Sequence, residues 1–421
     1  MENKTREIYK DSFVEYLLCL ALDVGEGMLK NGAEVARVED TIERICRAYG
    51  AAHVEVFTII SMINAAIRMP DGSYSSQLRR VKQTSNNLNT LENLNALSRQ
   101  ICRDKPSLDE FDERLHKLKA QRPYPVWVQI AFAAIGASGF CLFFGGGFFD
   151  ALVTLAIGVL ISFVNNSSSK RFNAMAKTVT SAFISAGLAG LIYMAVPSLN
   201  VDAIIIGAIM LLVPGLLFGT AMRDLLCGDL IAGTLKILQA ILQTLMIGFG
   251  YMLAYAVIGD YMIPKAPDAS GDSFLIQLVT ALVTSVAFAA VFKSNKRHLA
   301  MAGVCGILTY ATYFAVYTLA SSLFWAGFIS SLVAALFSEC NARVRKAPSL
   351  VMLMPGVIPI VPGGYLYRTV RDFVRGLPGD AFVHLSDAAS VALGIAGGVV
   401  LISMVFGILS DISAKKRNKE A

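Results

Sequence analysis

Charge is scarce in this chain: only 16% of its 421 residues are Asp, Glu, Lys or Arg, whereas 55% are hydrophobic. That balance lies outside the soluble globular range and points to a membrane protein. Histidine is also rare, at four residues. The seven cysteines (Cys19, Cys46, Cys102, Cys141, Cys227, Cys305, Cys340) form no CxxC pair, which excludes a zinc ribbon or a disulfide framework and leaves them as expected packing residues. No GxxxxGK[ST] loop is present, which argues against ATP drive. The absence of GxGD and GxSxG, with only His298 and His384 in the later part of the chain, argues against an intramembrane enzyme. No cofactor or metal is expected.

The little charge there is lies unevenly. Residues 1–125 hold 18 Lys+Arg and 18 Asp+Glu, and the remaining 296 residues hold 19 and 13. The first stretch is neutral, so the net charge of +6 sits in membrane loops and nucleic acid is not a partner. The charges from Glu2 to Asp11 do not resemble a cleaved signal peptide. Residues 1–125 are therefore expected to form a cytoplasmic α+β domain. Its reading is an amphipathic helix over Phe13 to Met28 stopped by Asn31-Gly32, and a charged helix from Glu34 to Gly50. Strands follow at His53–Ile60, Ile63–Met69 and Ser75–Val81, with Pro70-Asp71-Gly72 as a turn. A helix over Leu88 to Cys102 and another opened by the capping pattern Ser107-Leu108-Asp109-Glu110 close the domain, and Arg122-Pro123-Tyr124-Pro125 leads stiffly into the membrane.

Ten spans are predicted near 126–144, 148–165, 178–196, 203–219, 230–258, 274–292, 299–319, 323–340, 350–367 and 389–410. With the first domain inside, the inner turns carry Lys170/Arg171/Lys177, Arg223, Lys293/Lys296/Arg297, Arg343/Arg345/Lys346 and a basic tail over 411–421, as the positive-inside rule requires. The outer loop with Asp260, Lys265, Asp268 and Asp272 is net acidic. Residues 368–388 break the rule with Arg368, Arg371 and Arg375 on the outer side.

An internal repeat accounts for that exception. Pro214-Gly215, Arg223-Asp224 and Gly228 recur as Pro362-Gly363, Arg371-Asp372 and Gly376, every one at an offset of 148. The predicted architecture is a helical polytopic membrane protein made of two five-helix repeats, 126–260 and 274–410. Because five is odd, the second repeat enters the membrane inverted.

Pro214-Gly215 and the run Pro355-Gly356, Pro359, Pro362-Gly363 are expected to break the fourth and ninth spans, exposing backbone groups that lipid cannot satisfy. Matched breaks in two halves point to a substrate site, with Gln239 on a polar stripe of Lys236, Gln239 and Gln243; the plainer alternative is that the prolines only kink packed helices. Lys236 is the clearest ionisable residue within a span, where insertion costs about 2.5–3.5 kcal/mol, unless it snorkels to the surface. Either His384 or Asp387 is its counterpart in the second repeat. Arg223, Asp224, Arg371 and Asp372, nine or ten residues beyond each break, suit gating better than direct ligation. Gln129, Asn165-Asn166 and Glu339 are expected to be polar helix ends.

The stretch Gly32-Ala33-Glu34-Val35-Ala36-Arg37-Val38-Glu39-Asp40-Thr41 resembles the N-terminal signature of the threonine/serine exporter family. Leu212-Val213-Pro214-Gly215 through Arg223-Asp224 and Gly228-Asp229-Leu230 resembles that family's second signature. Residues 1 to about 260 look like its larger module and 274–410 like its smaller one, fused here. The resemblance implies proton-driven export of small hydrophilic metabolites, threonine and serine typically or a dicarboxylate alternatively, across the cell membrane. The partners so implied are the substrate, protons and the lipid bilayer, and oligomerisation with further copies of the chain stays open. A channel or receptor is the remaining class, disfavoured by paired helix breaks.

Overall fold

The computed structural model describes residues 12–82, 85–121, 124–167, 173–259 and 273–420. The charges at 2–11, Arg122-Pro123, Lys170/Arg171 and the acidic loop with Asp260, Lys265, Asp268 and Asp272 lie outside the described residues. The chain packs as two compact units, Met1–Pro123 with Leu216–Leu238, and Tyr124–Gly215 with Gln239–Ala421.

In the first unit, helix α1 (Phe13–Lys30) starts at Ser12, whose hydroxyl accepts from the Glu15 N–H. The sequence reading of α1 as amphipathic needs correction, because Leu17, Leu18, Leu20 and Leu22 are all fully buried. It is a central helix, wrapped by α2 (Val35–Ala48), the sheet, α3 (Leu88–Asp104) and α4 (Leu108–Lys119). Truncating any one of those leucines to alanine would cost about 2–5 kcal/mol. The sheet is an antiparallel meander of β1 (His53–Ile59), β2 (Met62–Arg68) and β3 (Tyr74–Arg80). Ile63 lies opposite Arg79 and Ala65 opposite Gln77, and the alternation in β2 puts Ile63, Ala65 and Ile67 on the buried face. Gly50 and Gly72 hold positive φ where α2 ends and where the β2–β3 turn reverses. Ser107 caps α4 by accepting from the Glu110 N–H, as the capping pattern foretold.

The second unit starts with α5 (Val126–Phe143), α6 (Phe148–Asn166), α7 (Ala174–Ala195) and the short α8 (Val201–Ile209). After a break, α9 (Gly215–Leu226) belongs from Leu216 onward to the first unit, as does α10 (Leu230–Ile258) up to Leu238. From Gln239 the second unit resumes and continues through α11 (Phe274–Val291), α12 (Leu299–Ala320), α13 (Leu323–Arg345), α14 (Leu350–Val357), α15 (Gly363–Val374) and α16 (Pro378–Glu420). Small residues allow close helix approach, as in many membrane bundles. A Cβ added at Gly327 on α13 would stand 2.9 Å from the Val391 carbonyl of α16.

Among the described residues eight helices are long and apolar enough to cross a membrane, or nine if the bent pair 350–360 and 363–374, angled by 43°, counts as one. The segment predicted as a fourth span is instead two short helices, α8 and α9, neither long enough alone. The predicted loop 368–388 is mostly helical too, since α15 runs to Val374 and α16 begins at Pro378.

The 148-residue offset recurs in two pairs of helices. Helix α5 maps onto α11, and α9 onto α15, with both ends of each pair displaced by 148 residues. Turn bonds repeat as well: Gly215 N–H donates to Val213 O at 2.8 Å and Gly363 N–H to Val361 O at 2.7 Å. Asp229 N–H donates to Asp224 O, and Leu377 N–H to Asp372 O, both at 2.9 Å. Gly228 and Gly376 each take positive φ in the turn that follows.

Candidate functional site

Proline at 214 and 362 cannot continue a helix, and the chain breaks at both positions before restarting at the next residue. The two breaks face each other inside the second unit. A Cβ on Gly363 would lie 2.6 Å from Met210 Sδ and 3.1 Å from Val213, and one on Gly215 would lie 3.5 Å from Ile358 and 3.6 Å from Val361. The amide of Gln243 donates to the Leu212 carbonyl at 2.8 Å, satisfying an acceptor that the break leaves without a helical partner. Beside them is a cavity of about 10 Å³ lined by Val213, Thr244, Tyr251, Gly363 and Tyr367. That is room for about one water.

Pro355 and Gly356 mark no break; both are buried within α14, where Gly356 packs against Cys305. Gln239 is half-buried on α10, and Gln243, one turn on, is the stripe residue that reaches the break.

On α15, Arg371 Nε donates to Asp372 Oδ1 at 2.8 Å and its guanidinium pairs with Asp202 at the start of α8. Tyr367 donates its hydroxyl to Asp202 at 3.0 Å, and Tyr251 packs edge-on against the Tyr367 ring. His384 Nε2 stands 3.4 Å from the second Asp372 oxygen, while its Nδ1 is buried without a hydrogen-bond partner. Asp387, half-buried three residues later, makes none of these contacts. Sequence reasoning missed Asp202, Tyr367 and Tyr251. A lone acid ahead of the apolar run Ala203–Ile206 was the available signal.

The first unit holds the matching arginine in different company. Arg223 Nη1 lies 2.8 Å from Glu34 Oε1, a close ion pair whose alignment falls short of a hydrogen bond. Asp224 does not pair with Arg223; it receives the Lys236 ammonium and the Val35 N–H. Asp229 faces the Ala36 N–H. Lys236 is buried in this ion pair, which removes the snorkelling alternative. Burial alone would raise the Glu34 carboxyl, but the charges of Arg223, Arg37 and Lys236 outweigh it and hold it below the usual glutamate range. Burial and the Asp229 charge push Glu39 up, against the Thr58 N–H that bonds it at 2.7 Å.

Of the remaining polar candidates Gln129 and Asn166 lie in terminal helix turns, whereas Glu339, expected at a helix end, lies inside α13, six residues before Arg345. Gln129 donates to the Tyr124 carbonyl, Asn166 to that of Ser162, and Glu339 accepts from Ser349. Two cysteines depart from the packing role expected of them, since Cys227 and Cys340 are exposed.

Eight long apolar helices among the described residues define a polytopic α-helical membrane protein. Residues 19–258 match the family described as "Putative threonine/serine exporter", and residues 277–405 match "Threonine/Serine exporter, ThrE". The chain belongs to the threonine/serine exporter family and carries both of its modules. It is 24% identical to the "Probable threonine/serine exporter" of Mycobacterium tuberculosis, covering 93% of this chain and 76% of that one. It is 22% identical to the "Threonine/serine exporter" of Corynebacterium glutamicum, covering 93% of this chain and 82% of that one. A fungal relative, "Pheromone-regulated membrane protein 10" of Pichia sorbitophila, is 23% identical over 66% of this chain, which spans only 29% of that protein. No solved structure matches.

Proposed function

We propose that this protein exports threonine and serine across the cell membrane in exchange for protons, by alternating access between two inverted five-helix repeats. In this reading the N-terminal domain and C-terminal tail are cytoplasmic, and the broken pairs α8–α9 and α14–α15 serve as the fourth and ninth of ten spans. The observation that carries it is the meeting of the two breaks, at Gly215 against Ile358 and Val361 and at Gly363 against Met210 and Val213.

A helix that starts at a break has N–H groups without intrahelical acceptors, and its positive end favours a carboxylate. An amino acid brings a carboxylate of that kind. The cavity of about 10 Å³ at the breaks is too small for threonine, so α9 or α15 has to swing to admit it. Arg371 with Asp202 and Asp372, and Arg223 with Glu34, are pairs that can part and re-form as one face opens and the other closes.

Purified protein in proteoliposomes tests this. Labelled threonine should accumulate against its gradient under an imposed pH difference, and a protonophore should collapse the accumulation. Competition with serine should be strong and with succinate weak. Strong competition by succinate would reassign the substrate to dicarboxylates, and flux indifferent to the protonophore would overturn proton coupling.

A further inference from the structure

Two arginines at one repeat position hold different partners. Arg371, on the second repeat, takes its distant counter-charge from Asp202, which belongs to α8 of the first repeat. Applying the same rule in reverse, Arg223 on the first repeat would look to the residue 148 positions beyond Asp202. That residue is Leu350, which is buried and carries no charge. A buried guanidinium without a counter-charge is strongly disfavoured. Glu34 fills the need from outside both repeats, with its carboxylate 2.8 Å from Arg223 and both side chains about nine-tenths buried.

Glu34 does not act alone. It sits at the start of α2, whose first N–H groups have no helical acceptors. The Val35 N–H donates to Asp224 at 3.3 Å, and the Ala36 N–H faces Asp229. Gly32, at φ +88°, turns the chain so closely that an added Cβ would lie 3.3 Å from Leu216. One loop of the N-terminal domain thus engages Leu216, Arg223, Asp224 and Asp229, and the α9–α10 corner and the N-terminal domain fall in one compact unit.

We infer that the N-terminal domain is a working part of the transport cycle, with Glu34 as a positioning residue that holds the Arg223 corner in place. This rests on the export reading. Movement of α9 during the cycle then requires the domain to travel with it or the Glu34–Arg223 contact to open.

The test uses the full-length chain with Cys227, exposed just beyond α9, kept as the single cysteine. Glu34→Gln should lower the maximal rate of threonine counterflow by about tenfold with KM changed by less than about twofold, and raise the maleimide labelling rate of Cys227 by about threefold or more. The exchanged pair Glu34→Arg with Arg223→Glu should restore both, and Glu34→Asp should lie between. If Glu34→Gln leaves rate and labelling unchanged, or the exchanged pair restores neither, the inference is overturned. Absence of threonine counterflow in the unmodified protein would overturn the export reading instead, while Cys227 labelling still decides the contact.

Discussion

Lys236 and His384 stand 148 residues apart, and each faces the aspartate twelve positions before it, Asp224 for the lysine and Asp372 for the histidine. The repeat thus keeps the contact and changes the cation. Lysine stays charged across physiological pH, whereas histidine is the side chain whose ordinary titration falls there. His384 also faces Tyr365 on α15, and Asp372 is shared with Arg371, while Asp380 and Asp387 lie on its own helix.

The coupling proton is therefore expected on the Asp372–His384 pair. His384→Gln should abolish threonine accumulation driven by a pH gradient and spare threonine-for-threonine exchange. Lys236→Gln should mainly lower folded yield, because Asp224 would remain buried without its cation, a loss of about 3–5 kcal/mol. Flux measured under an imposed gradient decides between them. If His384→Gln still accumulates threonine and Asp387→Asn does not, the proton travels on Asp387.

Acid should loosen the Glu34 contact. Its carboxyl is held below the usual glutamate value by Arg223, Arg37 and Lys236, acting against burial. A lowered carboxyl contributes stability that is complete above the unfolded value, about 4.3, and is lost as pH falls through the folded one. Amide exchange at Val35 and Ala36, corrected for intrinsic rates, should be flat between about pH 6 and 8 and rise only below about pH 4. Glu34→Gln should remove that acid rise. A rise centred near neutrality would assign the contact to a different group.

Much of this was legible because local signals and burial agreed. Gly50, Gly72 and Ser107 marked the ends of elements that the structure places there. The 148-residue offset, read from Pro214-Gly215 and Pro362-Gly363, reappears in helix ends and turn bonds. What periodicity could not supply was the pairing of distant charges. Arg223 next to Asp224 in sequence suggested one ion pair, yet consecutive helix residues point about 100° apart and the two side chains went to Glu34 and Lys236. Pro355 looked like a break and is not one, because a buried helix can carry a proline where its neighbours absorb the lost hydrogen bond. The 148-residue offset carries Lys236 onto His384 and a three-residue gap would carry it onto Asp387; the contact to Asp372 supports the ungapped register.

An inverted repeat places the two α-helical corners on opposite faces of the membrane. Cys227 is exposed at the first corner and Leu377 at the second. In a background lacking the other cysteines, a membrane-impermeant maleimide added to intact cells should spare Cys227 and label the Leu377→Cys variant. Permeabilised cells should label both. Labelling of both, or neither, from outside would mean parallel repeats.

The last expectation separates ligand from gate. At Gly363 an added Cβ would meet Met210 Sδ at 2.6 Å and Val213 at 3.1 Å, so with valine there the Met210 side chain must turn aside and the added methyl groups crowd Val213 at the first break. At Gly215 the nearest atoms, on Ile358 and Val361, lie at 3.5 and 3.6 Å, ordinary contact distances. Alanine at 215 should therefore be tolerated, and only the extra methyl groups of valine should crowd the opposite break. Arg371 is paired with Asp202 and Asp372, and Arg223 with Glu34. Gly363→Val is expected to raise the threonine Kd by about tenfold or more, Gly215→Val by less, and Gly215→Ala hardly at all. Arg223→Gln and Arg371→Gln are expected to keep Kd within about threefold and slow turnover by about tenfold, the pattern of a lost contact in a moving step. Calorimetric binding and counterflow rates on all five variants give both quantities. If the arginine changes abolish binding and the glycine changes do not, the guanidinium groups hold the substrate carboxylate and the breaks serve only as hinges.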